Sequence, residues 1–384
     1  MPRLPRAVRL FQGAVTVVTT PTRHRARFHT LAVAEVRPLT ADSVEVTFAV
    51  PPQLEGEFDY LPGQHLALRA TIDGQELRRS YSICRPCTPG TISVAIKRDL
   101  GGVFSSWANT DLCAGDRLDV MSPQGSFTTA LPTLENTHLA GIAAGSGITP
   151  LMALAQTVLA ASATSRFTLV YTNRTALDVM FLDELADLKD RHPTRLALYH
   201  VLSREQRSSQ LLSGRIDEAK LRRMLDTILR PGTIDEWFLC GPFDLVQLCR
   251  DTLDDVGVAR AHVRFELFTT GDPTTITPPP GRPGLVSAGD QTVEIEFTLD
   301  GQTATVTTPV NARESILSAA LRVRPDVPFA CAGGVCGTCR ASLISGDVTM
   351  TENYALEPDE IARGYLLTCQ SHPTTARVSV NYDV

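Results

Sequence analysis

The chain has 384 residues, which is too long for one ordinary hydrophobic core, so two or three domains are expected. Its composition is that of a globular protein, and a formal charge of −6 gives no reason to expect a nucleic acid as partner. The sequence has no apolar run of about 18 residues or more, so no transmembrane helix is predicted. Nine cysteines without an export signal favour the cytoplasm and reduced thiols.

The first 27 residues are basic and contain a short apolar piece, GAVTVV. This piece is short for the core of a signal peptide, and no small-residue cleavage site follows it. We therefore predict a partly ordered extension over residues 1–27, with a weak surface or membrane contact as the alternative.

Residues 28–132 contain short apolar–polar alternations that Pro and Gly interrupt. The runs are HTLAVAEVRPL, SVEVTFAV, QHLALRATI, TISVAIKRD and DRLDVMSP. Short strands at nearly even spacing predict an antiparallel β-barrel.

Residues 133–271 have a different hydrophobic pattern, in which buried-strand runs alternate with helical patterns. The strand runs are THLAGIAAG, FTLVYTN, LALYHVLS, EWFLCG and HVRFEL, and helical patterns such as TPLMALAQTVLAAS separate them. This alternation predicts an α/β domain with a parallel sheet.

The remainder divides into a linker and a compact C-terminal domain. Residues 272–290 are rich in Pro, Gly and Thr and predict a semi-extended linker. In residues 291–384, VEIEFTLDGQTATVTT predicts a β-hairpin with its turn at Asp300–Gly301, and ESILSAALRV predicts a short helix.

The C-terminal domain holds a cysteine cluster. Cys331, Cys336 and Cys339 follow the pattern C-x4-C-x2-C, and Cys369 lies further on in LLTCQSHP. This is the ligand spacing of plant-type [2Fe–2S] clusters, and the small intervening residues let the backbone turn sharply around a cluster. Zinc, the alternative, usually takes two short-spaced pairs, which this pattern does not provide. Residues 291–384 resemble plant-type ferredoxins, which implies an α+β, β-grasp-like fold.

A second cysteine pair, Cys84 and Cys87, forms a C-x2-C with Pro86 inside it. It has no second pair nearby, so metal ligation is not predicted there. Cys113 and Cys249 are interpreted as ordinary thiols.

Several motifs in the barrel and α/β segments belong together. Arg79-Ser-Tyr81-Ser82 ends a strand-like run; YLPGQH precedes it, and Lys97-Arg98, GGVFS and PQGSF follow it. Taken together, these motifs resemble the ferredoxin–NADP reductase family, and the resemblance runs to the end of the α/β segment. It implies that the barrel binds FAD.

The resemblance also implies roles for individual residues. Tyr81 offers an aromatic face to the flavin ring, Ser82 a hydrogen bond near its N5 atom, and Arg79 a charge for the pyrophosphate. Backbone N–H groups at a helix start would meet the phosphates. The further cofactor-binding residues in the barrel segment are Lys97, Gly102, Val103 and Ser105.

Two glycine turns in the α/β segment point to a nicotinamide cofactor. Gly145-Ser-Gly147-Ile-Thr149-Pro150 joins a strand to a helix start, which is an anion-binding arrangement. Cys240-Gly241-Pro242 matches the second glycine turn of the family, so Cys240 is predicted to line the hydride path. A buried thiol at a strand end is the alternative for Cys240.

Coenzyme preference depends on Ser203-Arg204, which follows the strand LALYHVL. In relatives that use NADPH, this pair binds the 2′-phosphate, whereas an acidic residue would favour NADH. NADPH is therefore predicted, with NADH as the alternative, and Arg174 is expected near the adenosine. In the last strand, the resemblance places Glu266 and Phe268 near the flavin, although both also suit a core strand.

The order of the domains predicts the function. A hydride donor, a flavin and a one-electron cluster form an electron relay. This order resembles the reductase components of bacterial multicomponent oxygenases. The closest resemblance is to the reductases of epoxidases, and it rests on the runs YLPGQHLALRA, LRRSYSIC, HVLSRE and LLSGRID. The near alternative is the reductases of steroid hydroxylases, which more often use NADH. The acceptor is expected to be an oxygenase, with a desaturase or a cytochrome P450 as further options. The remote alternative is a binding module with an inactive reductase half, which a complete set of cofactor residues disfavours.

Overall fold

The computed structural model describes residues 26–130, 134–268, 291–356 and 358–383. They form two compact units, one spanning Phe28–Glu266 and the other containing residues 26–27 and the chain from Leu267 onward. The predicted barrel and α/β segments thus belong to one unit. Residues 1–25 of the predicted extension and the whole predicted linker, 272–290, lie outside the described residues.

The first half of the first unit is an antiparallel sheet that curls into a barrel. Its strands are β1 (Phe28–Thr40), β2 (Ser43–Ala49), β3 (His65–Ile72), β4 (Gln75–Ser82), β5 (Thr91–Lys97) and β6 (Arg117–Met121). They lie in the order β4-β3-β6-β1-β2-β5, and a bridge between Ile83 and Val94 brings the two edges together. Alternate side chains such as Val46 and Leu66 fill the interior, as the period of two requires. Helix α1 (Val103–Thr110) places Phe104 in this core. The antiparallel barrel is confirmed.

The second half of this unit is an α/β fold. Its strands are β7 (His138–Ala144), β8 (Arg166–Asn173), β9 (Leu196–Leu202), β10 (Glu236–Gly241) and β11 (Val263–Leu267), in the order β11-β10-β7-β8-β9. The pairs β10–β7, β7–β8 and β8–β9 are parallel, which confirms the prediction. The helices are α2 (Ile148–Ala161), α3 (Leu182–Arg191), α4 (Glu218–Met224) and α5 (Phe243–Asp255). Helix α2 is apolar on most of its surface because it is largely buried.

A buried carboxylate joins the two halves. The Glu45 side chain is 5% exposed and accepts hydrogen bonds from Arg37 at 2.6 Å and from Arg85 at 2.7 Å. Both guanidinium groups also reach Glu184 of α3, Arg37 at 2.5 Å and Arg85 at 3.4 Å. Because each charge in this cluster has a partner, the desolvation of Glu45 is compensated.

The second unit is an α+β fold around a five-stranded mixed sheet. Its strands are β12 (Thr292–Leu299), β13 (Gln302–Pro309), β14 (Arg340–Ser345), β15 (Val348–Met350), β16 (Tyr365–Leu367), β17 (Ser371–Pro373) and β18 (Arg377–Asn381), and its helices are α6 (Ile316–Leu321) and α7 (Pro358–Ala362). The sheet order is β13-β12-β18-β14-β16, with β12 and β18 parallel and the other pairs antiparallel, while β15 and β17 form a separate ribbon. The predicted hairpin is β12–β13. Its turn residues Asp300 and Gly301 have φ of 61° and 66°, as a type I′ turn requires.

Candidate functional site

Side chains from the two halves of the first unit meet at one carboxylate. The Ser82 hydroxyl, at the end of β4, donates a 2.7 Å hydrogen bond to Glu266 of β11. His65 lies directly opposite Ser82 in the β3–β4 register, and its Nδ1 is 3.6 Å from the other Glu266 oxygen. Glu266 is therefore part of a polar cluster between the barrel and the parallel sheet.

Cys240 lies beside this cluster at the end of β10 and is fully buried. Burial raises the pKa of its thiol well above the ordinary value, and the neighbouring Glu266 carboxylate raises it further. The thiol is therefore neutral at physiological pH, so it can serve as an uncharged contact and not as a nucleophile.

Tyr81 and Arg79 lie on β4, two residues apart, so both side chains point to the same face of the strand. The Tyr81 ring packs against Phe104 of α1 with 5.8 Å between ring centroids. Burial raises the pKa of the Tyr81 hydroxyl, which stays protonated. Arg79 is half-buried and donates to the Arg78 carbonyl at 2.7 Å.

The predicted phosphate loop caps helix α1. Gly102 is the N-cap residue, and the Ser105 hydroxyl accepts from the Asp99 N–H at 3.1 Å and donates to the Gly102 carbonyl at 3.3 Å. The structure therefore gives Ser105 a role in holding the loop. Val103 is 51% exposed at the helix start. The contacts of Gly102, Val103 and Ser105 with a phosphate remain predictions.

The two predicted glycine turns touch each other. A Cβ atom at Gly147 would lie 2.1 Å from the Cys240 carbonyl oxygen, and one at Gly241 would lie 2.9 Å from the Ala144 Cβ atom. Only glycine permits so close an approach at these positions. At Gly145, with φ of 54°, the space around the missing side chain is open. This open side and the adjoining N-terminus of α2 suit the approach of a phosphate.

Neighbouring residues brace the first turn. The buried Tyr171 donates a 3.0 Å hydrogen bond to the Gly145 carbonyl, so this tyrosine supports the turn from within the core. Thr149 donates to the Ser146 carbonyl at 3.0 Å, and both Thr149 and Pro150 are buried. These two residues shape the helix start.

Ser203 and Arg204 follow β9, as predicted. Their N–H groups donate to the carbonyls of Asn173 at 2.9 Å and Arg174 at 2.8 Å. The Arg204 side chain is exposed, and Ser203 is partly exposed. The predicted coenzyme-preference pair and Arg174 are thus brought together by the backbone.

Two predicted cofactor residues share an unpredicted partner. Lys97 and Arg174 both form ion pairs with Asp42, at 3.0 Å and 3.2 Å. Sequence reasoning also gave no role to His65, although it lies in the quoted run YLPGQH. The available signal was the order of the strands, since a hairpin places YLPGQH beside RSYS.

Two other predictions concern single residues. Phe268 follows β11 and is 36% exposed, so its role as a flavin cover remains a prediction. Cys84 is buried, and its thiol faces the Ser93 carbonyl at 3.4 Å and the Glu45 carboxylate at 3.7 Å.

The four cysteines of the second unit converge, although Cys369 is distant in sequence. Cys331 lies beside Cys336, and Cys369 lies beside Cys339, close enough for each neighbour to affect the other's ionisation. These contacts, together with burial, raise the pKa of the Cys331 and Cys369 thiols well above the ordinary value. Within the described ranges, no three His, Cys, Asp or Glu side chains converge on a single-ion site.

The loop that carries the first three cysteines has the backbone expected for a cluster site. Gly334 and Gly337 have φ of 78° and 68°. The N–H of Gly333 points at the Cys331 sulfur at 3.4 Å, and that of Thr338 at the Cys336 sulfur at 3.5 Å. N–H groups directed at sulfur stabilise thiolate ligands, so the donor set and backbone fit a [2Fe–2S] cluster.

Within the part of the chain that the structure describes, no helix combines the length and apolar character needed to cross a bilayer.

Comparison with known families and proteins agrees with this geometry. Residues 30–129 match the oxidoreductase FAD-binding domain, residues 142–251 the oxidoreductase NAD-binding domain, and residues 297–374 the 2Fe-2S iron-sulfur cluster binding domain. Over 92% of this chain and 98% of the other, the fold is similar to that of phthalate dioxygenase reductase, with a TM-score of 0.53 and 22% identity. The protein is thus an NAD(P)H-dependent flavin and iron–sulfur oxidoreductase.

Two relatives define the family more closely. The chain is 43% identical to one component of the 1,2-phenylacetyl-CoA epoxidase of Escherichia coli, over 93% of this chain and 98% of the relative. It is 32% identical to the ferredoxin reductase component of the 3-ketosteroid-9-alpha-monooxygenase of Rhodococcus rhodochrous, over 96% of this chain and all of the relative. The chain belongs to this family of oxygenase reductase components, which confirms the resemblance of its sequence motifs.

Proposed function

We propose that this protein transfers electrons from NADPH, through FAD and a [2Fe–2S] cluster, to an oxygenase. The observation that carries the proposal is the meeting of Ser82, Cys240 and Glu266. It joins the predicted flavin strand β4 to the predicted nicotinamide strands β10 and β11 in one polar cluster. A hydride acceptor and a hydride donor must meet at such a junction.

Bound FAD would supply the exchange between one hydride and two single electrons. The residues of the chain would orient the two cofactors. Because the Ser82 hydroxyl hydrogen is committed to Glu266, the oxygen presents its lone pairs as an acceptor on its remaining side. The buried, neutral Cys240 thiol adds contact surface without charge and excludes water from this point.

The other predicted residues hold the two cofactors in place. Tyr81, braced by Phe104, would pack against the flavin ring, and Arg79 would pair with the pyrophosphate. On the nicotinamide side, the open face of Gly145 and the N-terminus of α2 would take the dinucleotide phosphates. The exposed Arg204 guanidinium and the Ser203 hydroxyl would bind the 2′-phosphate, which favours NADPH.

The thiol pairs in the second unit support assignment of the cluster to Cys331, Cys336, Cys339 and Cys369. A two-iron cluster needs two thiolates at each iron, and the pairs Cys331–Cys336 and Cys339–Cys369 match this requirement.

The acceptor we propose is an oxygenase that epoxidises phenylacetyl-CoA. The support is the relative named as a component of such an epoxidase, since the match covers 98% of its length. None of the nine cysteines forms a disulfide in the described residues, which supports a proposed location in the cytoplasm.

The function is tested on purified protein. We expect a yellow-brown preparation with FAD and about two irons per chain, which reduces ferricyanide and cytochrome c with NADPH. A preparation that holds FAD but gains neither iron nor the brown absorbance after anaerobic iron–sulfide reconstitution would contradict the cluster. Mixing the reduced protein with a purified phenylacetyl-CoA oxygenase or a steroid hydroxylase would then identify the acceptor.

Coenzyme preference is tested separately with Arg204→Ala. The kcat/KM for NADPH should fall while that for NADH changes little, because only NADPH carries the 2′-phosphate. Arg223→Ala, an exposed arginine of α4, is the matched control. An unchanged ratio in the Arg204 variant would refute the assignment.

A further inference from the structure

Asp42 lies between two cations that belong to different halves of the first unit. It occupies the turn between β1 and β2, where its Oδ1 accepts from Lys97 Nζ at 3.0 Å. Its Oδ2 accepts from Arg174 at 3.2 Å. Lys97 ends β5 of the barrel, whereas Arg174 directly follows β8 of the parallel sheet. The carboxylate therefore bridges the barrel and the nicotinamide half.

The position of this carboxylate is fixed by its surroundings. The Thr40 hydroxyl donates to Oδ1 at 2.8 Å, and the Arg98 N–H donates to the Asp42 carbonyl at 2.7 Å. Although burial opposes ionisation, Lys97, Thr40 and Arg174 together lower the pKa of Asp42 below its ordinary value. Asp42 is thus a charged and oriented partner at neutral pH.

Arg174 is fixed on its other side as well. Its guanidinium also pairs with Asp178, whose carboxylate accepts the N–H of Thr175 at 3.0 Å in a capping box. The Arg174 carbonyl accepts the N–H of Arg204 at 2.8 Å. The backbone of Arg174 therefore helps to position Arg204.

We infer that Asp42 is a positioning residue for the nicotinamide cofactor. Through Arg174, it holds the adenosine end of the nucleotide site at a set place relative to the barrel, and Lys97 anchors it on the barrel side. The inference rests on the proposed function, because it assumes a dinucleotide beside Arg174 and Arg204. Asp42 touches neither cofactor in this scheme and acts through its two cations.

The test is nucleotide affinity of the flavin-loaded full chain, measured by calorimetric titration with NADP⁺ and with NAD⁺. Asp42→Asn keeps the shape and removes the charge. We expect both affinities to fall by about fivefold at low salt, the upper range for a partly exposed ion pair. The loss should shrink at high salt. Asp42→Glu should restore part of the affinity.

A double-mutant cycle separates positioning from general damage. On an Arg174→Gln background, Asp42→Asn should cause no further loss, because the effect passes through Arg174. The matched control is Asp119→Asn, which removes a carboxylate of similar exposure that pairs with Arg69. Unchanged nucleotide affinity in Asp42→Asn, or additive losses of affinity in the cycle, would overturn this inference and leave the proposed function standing. A parent protein that binds neither nucleotide would overturn the proposed function, and this inference with it.

Discussion

Ser82 and Glu266 are 184 residues apart in the chain, and a 2.7 Å hydrogen bond joins them. Ser82 ends a strand of the barrel, whereas Glu266 lies on the last strand of the parallel sheet. The bond therefore fixes the two halves of the first unit at the place where hydride transfer is proposed, and Glu266 determines the orientation of the serine hydroxyl.

This relationship predicts the behaviour of Glu266→Gln. The amide keeps the size of the side chain but loses the charge and one acceptor oxygen, so Ser82 is less firmly oriented. Reduction of bound FAD by NADPH should slow by about 100-fold, the usual cost of a small misplacement at a reacting centre. Stopped-flow absorbance of the flavin measures the rate. Glu218→Gln, an exposed change on α4, serves as the control, and equal rates in both variants would contradict the role of Glu266.

The cluster assignment predicts that Cys336→Ser loses iron. Serine removes one of two thiolates from a predicted iron, so visible absorbance of the cluster and bound iron should be nearly abolished. NADPH-dependent reduction of ferricyanide, which a flavin performs directly, should remain, whereas reduction of cytochrome c should fall sharply. The exposed Cys113→Ser is the control. Normal iron content in Cys336→Ser would remove this residue from the ligand set.

The contact between the glycine turns predicts a steric effect of Gly147→Ala. The new methyl group would lie 2.1 Å from the Cys240 carbonyl oxygen, so one of the turns must move. We expect a loss of about 1–3 kcal/mol in the free energy of unfolding and weaker nucleotide binding. Denaturant titration and calorimetry measure these effects. At Gly232, where an added Cβ atom meets nothing within 4 Å, alanine should be neutral. Equal stability of the two variants would argue against the close approach.

The buried Glu45 carboxylate predicts how the stability of the folded protein depends on pH. Burial raises the pKa of its carboxyl, but Arg85 and Arg37 offset this and hold it below the ordinary value. A lowered folded-state pKa stabilises the protein above the ordinary pKa of a glutamate, and this stability is lost as pH falls through the folded-state value. Thermal unfolding measured from neutral pH down to about pH 3 should show this loss. Glu45→Gln should cost about 3 kcal/mol at neutral pH and weaken the decline in acid. A variant with the same acid profile as the parent would show that Glu45 does not contribute.

Much of the fold and part of the site followed from local patterns. The period-two runs predicted the barrel strands, the strand–helix alternation predicted the parallel sheet, and Asp300–Gly301 predicted a turn that the structure shows. These features depend on neighbours in the chain, so a single sequence contains them. The spacing of Cys331, Cys336 and Cys339 is equally local.

Other features depend on which segments meet. Asp42 is an ordinary turn residue in the sequence, and no neighbouring residue indicates that it contacts Arg174. Likewise, the sequence left open whether Glu266 was a core residue or a flavin neighbour. The contact with Ser82 arises only because β4 and β11 converge.

The sequence by itself determined the type of each domain, their order and the chemistry of the cysteine cluster, because each rests on residue type and short-range spacing. Only the tertiary structure decided that Ser82 and Cys240 share Glu266, that Lys97 and Arg174 share Asp42, and that Cys339 pairs with Cys369. The physical reason is that hydrogen bonds and ion pairs act over a few ångströms, and chain folding alone sets which distant side chains come within that range.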